Sequence, residues 1–449
     1  MTMSPSAVFY RSLDKVYPVA VGGQGVYIFT STGRKILDGS SGAAVSSVGH
    51  NNQEVIEAII AQTQKLSFAH SSFFTSNPVE ELAHFLLDRS SLVFSKVNFL
   101  CSGSEAVESA LKLCRQYHVY NGEPDRVNFI GRHHSYHGNT LGALAMGNNP
   151  PRRATIQPIL SPAFHHVSRC FYDADGNGKS EKAYEDDLIA EFESKILELG
   201  ASTVAGIMVE PVGGATLGAV PPTRNYLDRL RQLCDKYGIL LLFDEVMCGM
   251  GRVGSYHAWE SLGAVVPDLQ TIGKGLGGGY LPLSAILLAP KVASMFEGSS
   301  KGSKKYVSGH TFQDHSMGCA SALAVQKIIE REDAVDNALI QGHFLEELLL
   351  QGLPAELAVL GASMRGLGLF RAFDFGRAKI HFGGNLAAEV AEEAFKNGAA
   401  VYLCSGAVDA VLFAPPLVIS REEVQELVEI FLRSVRDVLS SRRASRVRL

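Results

Sequence analysis

The chain has 449 residues, 41 Lys and Arg against 46 Asp and Glu for a net charge of −5, and 19% charged residues. That length is two to three times a typical domain, so a sizeable core and more than one folding unit are expected and a small stapled scaffold is excluded. The mild negative balance leaves no broad basic field for nucleic acid, and no run in the 46% apolar content approaches the ~18 residues of a membrane helix. A soluble protein acting on small molecules is expected.

The opening MTMSPSAVFYRSLDK lacks a charged head followed by an apolar stretch, so the chain is expected to stay in the cytoplasm. The seven cysteines agree, being odd in number and without paired spacing, which suits reduced thiols. Residues 1–70 are read as a segment joining a small domain at the other chain end. Over 71–330 apolar runs alternate with amphipathic segments, which predicts a large α/β domain on a mostly parallel sheet. Strands are predicted at 97–101, 204–209, 239–243, 269–272 and 284–288. After the first, Ser102 with Glu105 fits a capping box, and Val107, Ala110, Leu111 and Cys114 make one buried helical stripe. Residues 224–237 place Leu227, Leu230, Cys234 and Tyr237 at helical spacing. Over 331–449 the texture turns to acidic-apolar helices, an apolar run at 412–419 and an amphipathic helix at 421–439, forming a smaller α+β domain whose Arg-rich tail is a solvated helix end.

In a parallel sheet, ligands gather at the carboxyl ends of the strands. Glu210, Asp244 and Lys274 each follow an apolar run. One polar residue at a strand exit is ordinary, but three of both signs on one sheet point to a site. The amides of Gly103 and Ser104, at a helix start, form a phosphate cradle; a capped helix without a ligand is the other reading of that segment alone. Glycine is abundant, 44 residues, and clusters around Lys274 in GKGLGGG. The cluster fits neither a Walker loop nor a dinucleotide fingerprint. It fits a lysine that forms a Schiff base, with glycines leaving room for a flat ring. A carboxylate such as Asp244 then keeps a pyridine nitrogen protonated. Cradle, acid and lysine together point to pyridoxal 5′-phosphate. His133, His134 and His137 invite a metal reading, but without a distant Cys, His or carboxylate partner no metal site is expected.

The ordered segments SGSEAVESALKL, HSYHGNTLGALAM, VEPVGGA, LLFDEVMCGMGRVG, PDLQTIGKGLGGGYLPLSA, GHTFQDHSMGCASALA and LFAPPLVIS, with GVYIFTSTGRKILDGSSGAAVSSVGH near the start, span nearly the whole chain. In them the sequence resembles the class III aminotransferases among the fold type I pyridoxal-phosphate enzymes, closest to the ω-amine:pyruvate type. The resemblance implies that Lys274 carries the internal aldimine and moves the proton, and that Asp244 pairs with the pyridinium nitrogen. It implies that Val246 packs one ring face and Tyr136 stacks on the other beside His137, and that Gly103 and Ser104 bind the phosphate. Glu210 would position Asp244 or the substrate side. Thr311 would reach the phosphate of the neighbouring subunit in a homodimer with shared sites. The implied reaction is ping-pong transfer from an amine or ω-amino donor to an oxo acceptor; racemases, aminomutases and decarboxylases on this scaffold are the alternative. Binding without catalysis would leave the lysine and acid unexplained.

Two departures bear on substrate. Met247-Cys248-Gly249 follows DEV where many relatives acting on amino acids have Gln. Leu412 stands where relatives handling α-amino acids or 2-oxoglutarate place an arginine, and none occurs over 378–420. A donor without an α-carboxylate, or with its acid far from the nitrogen, is expected. An acceptor's carboxylate would need Arg365 or Arg371 folded back over the site.

Overall fold

The computed structural model describes residues 6–297, 304–405 and 407–447, with side chains of the last helix as far as residue 444; the end of the Arg-rich tail lies outside the described residues. Seven short strands form the central sheet. We number them in chain order: β1 Lys96–Leu100, β2 Asn128–Arg132, β3 Phe164–Val167, β4 Val204–Val209, β5 Leu240–Asp244, β6 Leu269–Ile272 and β7 Ser284–Leu288. Their spatial order is β1-β7-β6-β5-β4-β2-β3. β7 runs antiparallel to both neighbours, and the pairs from β6 through to β3 are parallel.

Both faces of this sheet are covered, which is why its central strands β4 and β5, like β7, read as nearly unbroken apolar runs and not as alternating ones. Leu241 and Phe243 of β5 and Ala285 and Leu287 of β7 enter one core with Phe192, Leu227, Leu230 and Cys234. Leu240, Leu242, Ile286 and Leu288 enter the other, with Val107, Ala110, Leu111 and Cys114. Each Leu, Ile, Val or Phe among them contributes about 1.5–3 kcal/mol when fully buried. The Gly103–Tyr120 helix therefore clamps one face, and the Glu181–Leu199 and Tyr226–Tyr237 helices the other. Tyr226–Tyr237 starts two residues later than the periodicity predicts because the amides of Arg224 and Asn225 donate to Glu181 and Glu185 of the neighbouring helix. Gly238, at φ 64°, ends it.

The chain ends meet. Ala20–Gln24, Tyr27–Thr30 and Lys35–Asp38 form a meander whose last strand pairs in parallel with Ala399–Ala400. A second four-stranded sheet joins Ser363–Leu367, Phe370–Asp374, Ala410–Phe413 and Tyr402–Leu403. One core holds Val26, Leu37 and Val55 together with Phe373, Phe413 and Phe431. Only the front of the 412–419 run is strand, since Pro415 and Pro416 withhold the amides a ladder needs. The Arg421–Val447 helix runs past the predicted 439. The Ala334–Gln351 helix crosses the turn at Gly368 so closely that a Cβ on Gly342 would lie 1.9 Å from the Gly368 carbonyl oxygen. Among the described residues all seven thiols are free, six of them buried, and no helix is long and apolar enough to cross a membrane.

Candidate active site

The carboxyl ends of β2, β4, β5 and β6 and the helix start after β1 meet around a cleft of about 530 Å³. Eight of the nine sequence-predicted site residues line it: Gly103, Ser104, Tyr136, His137, Glu210, Asp244, Val246 and Lys274. Thr311 does not, and it is exposed on a turn.

Asp244 is the last residue of β5 and is 5% exposed. Its Oδ2 lies 2.7 Å from His137 Nδ1, and its Oδ1 accepts from the Val246 amide at 3.1 Å and from Thr271 Oγ1 at 3.3 Å. The carboxylate is thus oriented from three sides. His137 Nε2 is buried with no hydrogen-bond partner among the described residues, so the contact with Asp244 is what orients the imidazole. Lys274 sits at φ 43°, a left-handed conformation rare outside glycine. Burial pulls its amine below the ordinary lysine range, against the opposing fields of Asp244 and Glu210. Burial likewise pushes the Glu210 carboxyl up; His137 and Arg132 oppose this, and Glu210 Oε1 accepts from the Gly214 amide at 3.2 Å.

The helix start is capped by Ser102 Oγ, which accepts from Glu105 N at 3.3 Å, while Glu105 Oε2 reaches back to Cys101 N at 2.9 Å, one residue before the usual capping-box partner. Ser104 Oγ accepts from Asn139 N at 3.0 Å, tying the Tyr136–His137 loop to this helix. A Cβ on Gly103 would lie 2.7 Å from Val246 Cγ1, so the cradle and the ring-packing valine interlock.

Three expectations need correction. The glycines around Lys274 do not open space for a ring. Gly275 packs on Met250, a Cβ on Gly277 would strike the Leu281 carbonyl oxygen, and Gly278 and Gly279 hold positive φ, so they serve the tight turn. Leu412 does not form a cleft wall; it is fully buried with Ala44, Val212, Cys248 and Cys404, and Tyr402 to Ser405 reach the cleft in its place. Arg365 and Arg371 are both engaged elsewhere. Arg365 pairs with Asp374 at 2.7 Å and donates to the carbonyls of Leu217 and Gly218, and Arg371 pairs with Glu346 at 2.7 Å.

The sequence reading missed Thr271 and Arg132. Thr271 is legible only through its place on β6 opposite Asp244, and Arg132 through its place at the end of β2, where it donates to the Glu210 carbonyl at 2.6 Å. It also missed Arg152, whose guanidinium lies 5.0 Å from the centre of the Tyr136 ring. Among the described residues no three His, Cys, Asp or Glu converge to hold a metal.

Residues 9–435 match the family model of Aminotransferase class-III. The chain belongs to the class III aminotransferases. An uncharacterized aminotransferase of Schizosaccharomyces pombe is 37% identical over 97% of this chain and 96% of its own length. An amine transaminase from an uncultivated Pseudomonas species, solved in its PLP-bound internal aldimine form, superposes with a TM-score of 0.87 at 31% identity, covering 97% of this chain and 98% of that one. The omega transaminase of Pseudomonas jessenii, solved in complex with PMP, superposes with a TM-score of 0.87 at 30% identity, covering 94% and 93%. This aminotransferase accordingly has fold type I and uses pyridoxal phosphate for transamination. Its cleft fits that cofactor on its own terms: a capped helix start for a phosphate, a buried oriented carboxylate for a ring nitrogen, and an enclosed amine whose charge is disfavoured.

Proposed function

We propose that this aminotransferase takes its amino group from an amine lacking an α-carboxylate, or from an ω-amino donor whose acid lies far from the nitrogen, and passes it to an oxo acceptor. Pyridoxal phosphate supplies the electron sink and the carrier of the amino group. Lys274 would hold the cofactor and serve as the base that moves a proton to and from the reacting carbon; burial, which lowers its basicity, supports this role. Asp244 keeps the ring nitrogen charged, with His137 and Thr271 as its positioning partners. Gly103 and Ser104 hold the phosphate at the helix start. Val246 and Tyr136, which line the cleft, would cover the two faces of the ring, and Glu210 would shape the substrate side.

The observation that carries the donor reading is the Tyr402 to Ser405 wall, which brings no cation to the cleft. An α-carboxylate desolvated there would lack a partner at a cost of several kcal/mol. Thr311 lies outside its own cleft, next to Phe312, and Phe312 meets Phe68 edge-on at 5.7 Å. Phe73 is also exposed, at 80%. These exposed aromatic side chains support a homodimer in which Thr311 completes the partner's site. Unpaired thiols support a cytoplasmic placement. The shared core of Val26 and Leu37 with Phe413 and Phe431 supports a small domain built from 1–70 and 331–449 around a large domain at 71–330.

The test is a half-reaction screen without oxo acid, following the visible cofactor band. Terminal amines should bleach it, and an added oxo acid should restore it. A markedly higher specificity constant for an α-amino acid than for its decarboxylated analogue overturns the donor reading.

A further inference from the structure

Arg152 and Arg153 are neighbours in the short Pro150–Arg153 turn and are used in opposite ways. Arg153 is buried, donating to the carbonyls of Ala145 and Gly147 and to Gln157 Oε1. Arg152 is half-buried and lines the cleft, resting on the Tyr136 ring. Among the described residues no carboxylate pairs with its guanidinium and no carbonyl accepts from that group. The two acids of the cleft are already committed, Asp244 to His137, Val246 and Thr271, and Glu210 to Gly214. Arg152 therefore presents a planar fork of donors without a counter-ion, the arrangement that matches a carboxylate in bidentate fashion.

Where it stands selects the kind of acid. Arg152 lies on the segment that follows β2, whereas Lys274 follows β6, three strands from β2 in the sheet. It is set off from the reacting nitrogen. The other arginine of the cleft, Arg11, is exposed and precedes the first strand, whereas Arg152 is braced on an aromatic ring of the site. Building on the donor reading above, we infer that Arg152 grips the far carboxylate of an ω-amino acid donor and so sets the specificity of this aminotransferase.

The test compares the holoenzyme with Arg152→Gln and Arg152→Lys on two donors of equal chain length, 5-aminopentanoate and pentylamine, in the half-reaction. The ratio of kcat/KM, acid over amine, should fall about 10- to 100-fold in Arg152→Gln, as expected for a lost charge-assisted hydrogen bond. The loss should appear mainly in KM, and Arg152→Lys should recover part of it. Glutarate, which cannot react, should inhibit wild type competitively, with a higher inhibition constant in Arg152→Gln. Equal losses on both donors overturn the inference, as does weakened pyridoxal phosphate binding at an unchanged donor ratio, which would assign Arg152 to Tyr136 or to the phosphate. A wild type that takes both donors equally well overturns this inference alone. A wild type that takes neither and accepts an α-amino acid overturns the donor reading as well.

Discussion

Lys274 combines backbone strain with a burial that disfavours its charge. Its left-handed φ of 43° costs about 1–3 kcal/mol for a residue with a side chain. Lys274→Ala should leave a folded protein whose turnover falls by at least about 10²–10⁴-fold from lost proton transfer alone. Steady-state rates, a melting curve and borohydride trapping of the cofactor check this; a retained covalent link would contradict it. Asp244 and His137 separate by magnitude. Asp244→Asn removes the charge that stabilises a protonated ring and should cost about 10²–10³-fold, whereas His137→Phe removes only an orienting bond and should cost about 10-fold. Rates measured on one amine donor decide the order. A reversed ranking would move the principal charge from Asp244 to the imidazole.

At the scale of elements, a helix glycine shows how context reverses propensity. Alanine ordinarily stabilises a helix interior by about 1 kcal/mol over glycine. In the Ala334–Gln351 helix, however, Gly342→Ala would drive a methyl into the Gly368 backbone, and overpacking of this kind costs about 1–3 kcal/mol. A lower melting temperature is expected, and a rise would contradict the close crossing. Such a contact between segments 26 residues apart in number leaves no mark on local pattern. The positions of β1, β4, β5, β6 and β7, by contrast, were legible to within a residue because these runs are short and mostly apolar, and Glu210, Asp244 and Lys274 stood out because each follows such a run; β2 and β3, broken by Asn128, Arg132, His165 and His166, were not predicted. The reversal of β7 was not legible, since an apolar run has no direction. Leu412 misled because a motif position gives no side-chain orientation, and its burial follows from the pairing of Ala410–Phe413 between Phe370–Asp374 and Tyr402–Leu403.

For the whole molecule, stability at mildly acidic pH depends on buried groups away from the cleft. His257 is fully buried, accepts from Gln270 Nε2 at Nδ1 and stacks on Trp259. Burial pushes its pKa down to about 3. Between pH 6.5 and that value the unfolded chain binds a proton that the folded one refuses, so this stabilisation is present above pH 6.5 and is lost as pH falls. Glu245, whose carboxylate accepts from the Ala258 and Trp259 amides, works in the opposite sense. Burial pushes its pKa up to about 8, so its contribution falls as pH rises from the ordinary carboxylate range toward 8. His257→Gln isolates the histidine. From pH 7.5 to 5, wild type should lose about 2 kcal/mol more stability than the variant, read from denaturant midpoints at the two pH values. Parallel losses would show that His257 charges freely in the fold.

The parallel pairing of Lys35–Asp38 with Ala399–Ala400 also imposes an order on biosynthesis. The first partner leaves the ribosome about 360 residues before the second, an interval of roughly 20–70 s at ordinary elongation rates. Throughout that time the Lys35–Asp38 edge lacks its neighbour, and the apolar side chains of Val26 and Leu37 lack most of the core they later enter. The meander is thus an open strand edge on a nascent chain, the feature that invites pairing with other chains. A cell making this enzyme must shield that edge until the last tenth of the polypeptide has been translated.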